Sequence, residues 1–159
     1  MNIDAYDERL LDLLQKDSRQ SLENLANEVE LSVASVGRRI SRLRKGGVIA
    51  REVAVLDPAK VGRSMTFIVA VELVRESASE LTACRRALQK EALVQQFYYV
   101  TGEADFILIV RAAGMSEFEA LSKRLFLEGN NVRRFRTSIS LSNADITTRV
   151  KVGDLPMEP

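Results

Sequence analysis

The chain has 159 residues, 46% of them hydrophobic, a net charge of +1, no histidine and one cysteine. This suits one domain or two small ones, and it excludes a polycation and an internal disulfide. No apolar run is long enough to span a bilayer, and the acid-bearing N-terminus does not read as a signal peptide. A reducing cytoplasm is therefore the expected compartment, with no membrane partner.

Charge is segregated rather than absent. Residues 3–30 hold eight acids against three bases, whereas 31–51 hold six bases and no acid. Local sign, not the total, governs docking to a polyanion. Ile3, Leu10, Leu11, Leu13 and Leu14 predict a first helix over 4–16, with Asp4 as its cap. Ser21 caps a second helix that turns Leu22, Leu25, Ala26 and Val29 inward. After Glu30-Leu31, Ser32 caps a third helix in which Val33, Val36, Ile40 and Leu43 make one apolar stripe. Ser35, Arg38, Arg39 and Arg42 fall largely off that stripe, and Gly46-Gly47 stops the helix. Each helix is too short to be stable alone, so the leucines must pack into a common core. The sum is a helix-turn-helix unit.

Gly47–Leu56 reads as a turn and a strand, the wing of a winged helix, rich in the β-formers Val48, Ile49, Val53 and Val55. Residues 57–64, DPAKVGRS, read as a linker. Beyond it the rhythm changes. A β-run over 65–74 precedes a helix over 77–90, which carries Leu81, Cys84, Ala87 and Leu88. Strands over 94–100 and 106–110 flank the loop 101–105. Ser116 and Glu119 predict a capping box for a helix bearing Phe118, Leu121, Leu125 and Phe126, which Gly129, Asn130 and Asn131 stop. A last strand covers 132–141. The expected fold class is α+β, an N-terminal winged helix-turn-helix domain over 1–56 and a ferredoxin-like βαββαβ domain over 65–152, with a flexible tail over 153–159. The tail from Ser142 could add a strand. One face of the sheet keeps apolar side chains that nothing in this chain covers.

These residues resemble the Lrp/AsnC, or feast/famine, family of transcription regulators over roughly 4–151. The resemblance is carried by Asp17-Ser18-Arg19, Leu25-Ala26 with Leu31-Ser32, Arg39-Ile40 with Arg42-Leu43, Gly47-Val48-Ile49, Leu56-Asp57-Pro58 with Gly62, and Thr101-Gly102 with Asp105 before FILIV. It implies DNA binding by the first half, and dimerisation with amino-acid sensing by the second. It also implies further assembly of dimers into tetramers or octamers. Ala50-Arg51 departs from the glycine and aromatic residue common at that place.

The candidate DNA-binding residues are Ser32, Ser35, Arg38, Arg39, Arg42, Arg44, Lys45 and Arg51. For Ser35, Arg38 and Arg42 the options are base-edge contact, phosphate contact or plain solvent. Arg39 either braces the fold or touches phosphate, while Arg44, Lys45 and Arg51 suit phosphate. Ser32 is a cap first, although a helix N-terminus also suits phosphate. The candidate effector-binding residues are Thr101, Gly102, Glu103, Ala104 and Asp105, the carboxylate suiting an amino acid's ammonium; the bland reading is a tight turn. Tyr98 and Tyr99 read as sheet packing, one on each side of the strand.

No nucleophile–base or metal-ligand cluster appears, so neither a cofactor nor enzymatic activity is expected. A sirohaem-decarboxylase-like enzyme shares the two-domain plan, but its chemistry leans on histidine. An architectural DNA-binding protein, or a regulator that senses no effector, would carry the same basic helix and the same sheet.

Overall fold

A computed structural model describes residues 2–128, 131–142 and 149–152. They form two compact units that part between Ala54 and Val55, and the described C-terminal residues 149–152 belong with the first.

The first unit holds α1 (Ala5–Lys16), α2 (Leu22–Val29) and α3 (Val33–Lys45). Each begins on the expected cap. Asp4, Ser21 and Ser32 accept the amides of Asp7, Asn24 and Ser35, which gives an otherwise orphaned N–H a partner in each first turn. Glu30 adopts the left-handed conformation (φ 56°) that turns α2 into α3. Leu10, Leu25, Ala26, Val29, Val36 and Ile40 form the core. Burying this set supplies the stability that helices of 8 to 13 residues lack alone.

The expected wing strand is not formed among the described residues. The amides of Val48 and Ile49 both bond back to the Leu43 carbonyl at the end of α3, and Ile49 joins the core. From there to Leu56 the chain pairs with no strand, leaving Val53 and Val55 exposed. The β-forming composition is real, but a ladder needs a neighbour and this segment has none among the described residues.

The described end of the tail adds no strand either. Gln15 on α1 takes both backbone groups of Val150, accepting its N–H and donating to its carbonyl. The expected flexible tail over 153–159 lies outside the described residues.

The second unit is a four-stranded antiparallel sheet of order β2-β3-β1-β4. In chain order it contains β1 (Met65–Leu73), α4 (Ala78–Lys90), β2 (Val94–Tyr99), β3 (Phe106–Ala112), α5 (Met115–Ser122), a π-helical turn (Lys123–Leu127) and β4 (Val132–Ile139). This is the expected βαββαβ order. The alternation of β1 and β3 puts Phe67, Val69, Val71 and Leu73 with Phe106, Leu108 and Val110 on one face, in a core shared with Leu88, Phe118, Leu121 and Phe126. Phe67 and Phe118 stack there at 4.0 Å. Tyr99 packs on that face against Phe106, while Tyr98 opposes Ile107 on the other.

One local expectation is corrected. Ser116 and Glu119 do not form a capping box, because α5 starts two residues earlier, at Met115 after an N-cap at Gly114, so Ser116 lies inside the first turn. Glu117 instead reaches back to accept the Ala113 amide at 2.6 Å and pairs with Arg63 at 3.3 Å. The 57–64 linker is closed by a turn. The Arg63 amide bonds the Pro58 carbonyl, the Gly62 amide bonds the Ala59 carbonyl, and Gly62 takes the positive φ of 73° that closes the turn.

Candidate DNA-binding face and effector loop

Helical spacing divides α3 into three faces. Val36, Ile40 and Leu43 enter the core. Arg39 and Arg42 turn toward α1, where Asp7 is fully buried. Ala34, Arg38, Ser41 and Lys45 face outward and line a shallow open groove with Leu22, Gly37 and Arg42.

The α1 side is an ion-pair cluster. Arg39 donates through Nη1 to both Asp4 oxygens, at 2.9 and 2.7 Å, and to Asp7 at 2.8 Å, with its guanidinium 5.3 Å from the Tyr6 ring centroid. Arg42 donates through Nη2 to the other Asp7 oxygen. That oxygen also accepts the Asp4 amide. The amide of Asp7, and then Arg39, hold the Asp4 carboxyl below its ordinary value, while Asp4 and then Asp7 raise Arg39. A buried carboxylate demands this many donors, because desolvating it without them is costly.

Each candidate DNA-binding residue now has a place. Arg39 is the brace between helices. Arg42 combines an ion pair to α1, which the sequence did not suggest, with a position on the groove. Arg44 points elsewhere and pairs with Glu52 at 2.7 Å. Arg38, Lys45 and Arg51 are exposed and make no ion pair among the described residues. Ser32 spends one lone pair on the cap, and Ser35 is half-buried beside it. Two residues escape a sequence-based search. Asp7 looks like one of many acids in the N-terminal run, and Ser41 stands beside Arg38 by the same helical spacing that places the arginines.

In the second unit, Gly102 has a φ of 120°, in the region that favours glycine, and its missing Cβ faces open space. Asp105 is tied into the sheet. Its amide bonds the Val71 carbonyl, its carbonyl accepts the Val100 amide, and its carboxylate accepts the Leu73 amide at 2.7 Å. Thr101 and Ala104 complete the turn. Glu103 pairs with Arg136 at 2.8 Å. Next to it Glu72 holds Arg134 at 2.8 Å and Arg133 at 3.2 Å, and these pairs, Arg134 first, pull the Glu72 carboxyl below its ordinary value. This arginine–glutamate cluster beside the loop is not evident from sequence. Period-2 spacing puts Arg134 and Arg136 on one face, but only the β1–β4 register sets them opposite Glu72 and Ala70.

Residues 3–44 match the AsnC-type helix-turn-helix domain and residues 66–150 the Lrp/AsnC ligand binding domain. The chain belongs to the Lrp/AsnC family. It is 39% identical over 152 residues to an uncharacterized HTH-type transcriptional regulator of Sinorhizobium fredii, covering 96% of this chain and 90% of that protein. It is 32% identical to the glutamate uptake regulatory protein of Zymomonas mobilis, over 77% of this chain and 75% of the relative. Among solved structures, an AsnC family transcriptional regulator from Agrobacterium tumefaciens superposes with a TM-score of 0.87 at 29% identity, covering 92% of this chain and 95% of that one. As an Lrp/AsnC protein the chain is a DNA-binding regulator and not an enzyme. Among the described residues no cluster could hold a metal ion, and no helix is long and apolar enough to cross a membrane.

Proposed function

We propose that this Lrp/AsnC protein is a cytoplasmic homodimer that inserts α3 into the major groove of duplex DNA and changes its assembly or DNA affinity when a small amino acid binds. The observation that carries the DNA reading is the division of labour along α3. Arg39 and Arg42 are held by Asp7, while Arg38, Ser41 and Lys45 stand clear on the outer face. Arg38 is the base reader, since a guanidinium grips guanine O6 and N7 in a forked geometry. Lys45, Arg51 and the α3 N-terminus at Ser32 take phosphates. Arg42 serves as a positioned phosphate or base donor through the nitrogens that Asp7 leaves free.

The second copy is proposed on the open sheet face. Ile68 lies opposite Ile109, and Ala70 lies opposite Ile107, which neighbours Tyr98. Ile68 and Tyr98 are 42% and 53% exposed, and Arg111 Nη1 is covered there without a hydrogen-bond partner. A self-complementary apolar face rimmed by charge is what a two-fold dimer buries. Larger assemblies, up to octamers, belong to the same proposal.

The effector site is placed at loop 101–105. The matched ligand binding domain supports a small ligand in this unit, and similarity to a glutamate uptake regulatory protein makes amino acids the first candidates. Asp105 already serves Leu73, so Glu103 and Glu72 are the better partners for an ammonium, with Arg134 and Arg136 for the carboxylate. Titrating each of the twenty amino acids into the protein–DNA complex, while following anisotropy and sedimentation together, tests the reading. A response that disappears in Arg136→Ala supports it; no response to any amino acid leaves a regulator that senses no effector.

A further inference from the structure

Between α4 and the π-helical turn the sheet is left partly uncovered by a cavity of about 180 Å³. Leu73 and Phe106 form its floor, Cys84 and Ala87 of α4 one wall, and Phe126 of the π-helical turn the other, with Glu80 at its rim. Two features open it. Short side chains stand on α4 where a helix covering a sheet normally presents large ones. The wider π turn, a feature that recurs at functional sites, carries the opposite wall. The cavity opens to solvent beside Ala83 and Ala87, both of which are exposed. It is comparable to the roughly 150 Å³ apolar cavity that accepts benzene.

The electrostatics set the class of occupant. Glu80 is the one ionised side chain among the described lining residues, and no Lys or Arg lines the space. Burial, and then the negative charge of Asp105, push the Cys84 thiol up, so this wall is partly desolvated and under a negative field.

We propose that this cavity is a second ligand pocket, separate from loop 101–105, which takes a small apolar molecule carrying an ammonium group that pairs with Glu80. The apolar part is no larger than a six-membered ring or a branched four-carbon chain. A free carboxylate is disfavoured, because nothing in the lining offsets it. The pocket stands whether or not the loop binds an amino acid.

Three probes of one shape and different charge test it on the full-length protein: benzylamine, toluene and benzoate. Cys84, the sole thiol, reports occupancy through its rate of reaction with methyl methanethiosulfonate. Benzylamine should protect Cys84 saturably, toluene should protect it about fivefold more weakly, and benzoate should not protect it. Glu80→Gln should bring benzylamine down to the toluene value. Ala87→Leu should fill the gap, raise the melting temperature and weaken benzylamine by at least about tenfold. Should that variant disturb α4, Ala83→Leu fills the same space from one turn earlier. No saturable protection, equal protection by benzoate, or undiminished binding in both filled variants overturns the proposal.

Discussion

Asp7 of α1 and Arg42 of α3 form a direct ion pair in which the aspartate side chain is wholly buried and the arginine side chain is 46% exposed. One end of the pair is structural and the other reaches the groove. Breaking a buried pair by removing one partner leaves an uncompensated charge and costs roughly 3–5 kcal/mol. Removing Arg39 and Arg42 together strands the Asp7 carboxylate and should cost about that much in urea unfolding, whereas Asp7→Ala removes the buried charge itself and should cost less. Arg42→Ala should cost less, because Arg39 still neutralises the carboxylate.

The Asp4 cap makes the first unit sensitive to acid. Its carboxyl is held below the ordinary 3.8, first by the Asp7 amide and then by Arg39. The unfolded chain therefore takes up the proton at higher pH than the folded one. The contribution is fully present above 3.8 and is lost as pH falls through the lower folded value. Thermal melts between pH 2 and 6 should show a steeper acid loss for wild type than for Asp4→Asn. Parallel curves would remove Asp4 as its source.

Much of this was legible in the sequence. Caps at Asp4, Ser21 and Ser32 needed only spacing, because a cap is a local interaction between a side chain and an amide three residues on. The order of the second unit followed from alternation and breakers. What was not legible depended on neighbours distant in sequence. The Val48–Leu56 run has strand composition but no ladder partner among the described residues. Asp7 became a brace only because the crossing of α1 and α3 sets it between Arg39 and Arg42, 32 and 35 residues away. Glu72, Arg134 and Arg136 needed the register.

Asp105 separates a structural role for the effector loop from a ligand-binding one. Its carboxylate accepts the Leu73 amide. Removing the acceptor leaves a donor unsatisfied, at a cost of about 1–3 kcal/mol. Asp105→Ala should lower the stability of the second unit by that amount, and Asp105→Asn, whose amide oxygen still accepts, should restore most of it. An Asp105→Ala protein as stable as wild type that has lost its amino-acid response would instead make Asp105 a ligand contact.

The open sheet face predicts its own disruption. Ile68 and Ile109 are cross-strand neighbours there. Ile68→Asp should dissociate the protein to monomers at micromolar concentration in analytical ultracentrifugation, since a buried like-charge contact would repeat across the two-fold. A dimer that survives the substitution puts the interface elsewhere.

The claim that α3 reads DNA is tested most directly by measuring the affinity of wild type, Arg38→Ala and Lys45→Ala for a selected operator and for random duplex over a range of salt. Arg38→Ala should lose about 1–3 kcal/mol on the operator and little on random DNA. Lys45→Ala should weaken both alike and reduce the salt slope by about one. Equal losses on both duplexes for Arg38→Ala, or wild-type binding that does not weaken with salt, would contradict base reading by α3.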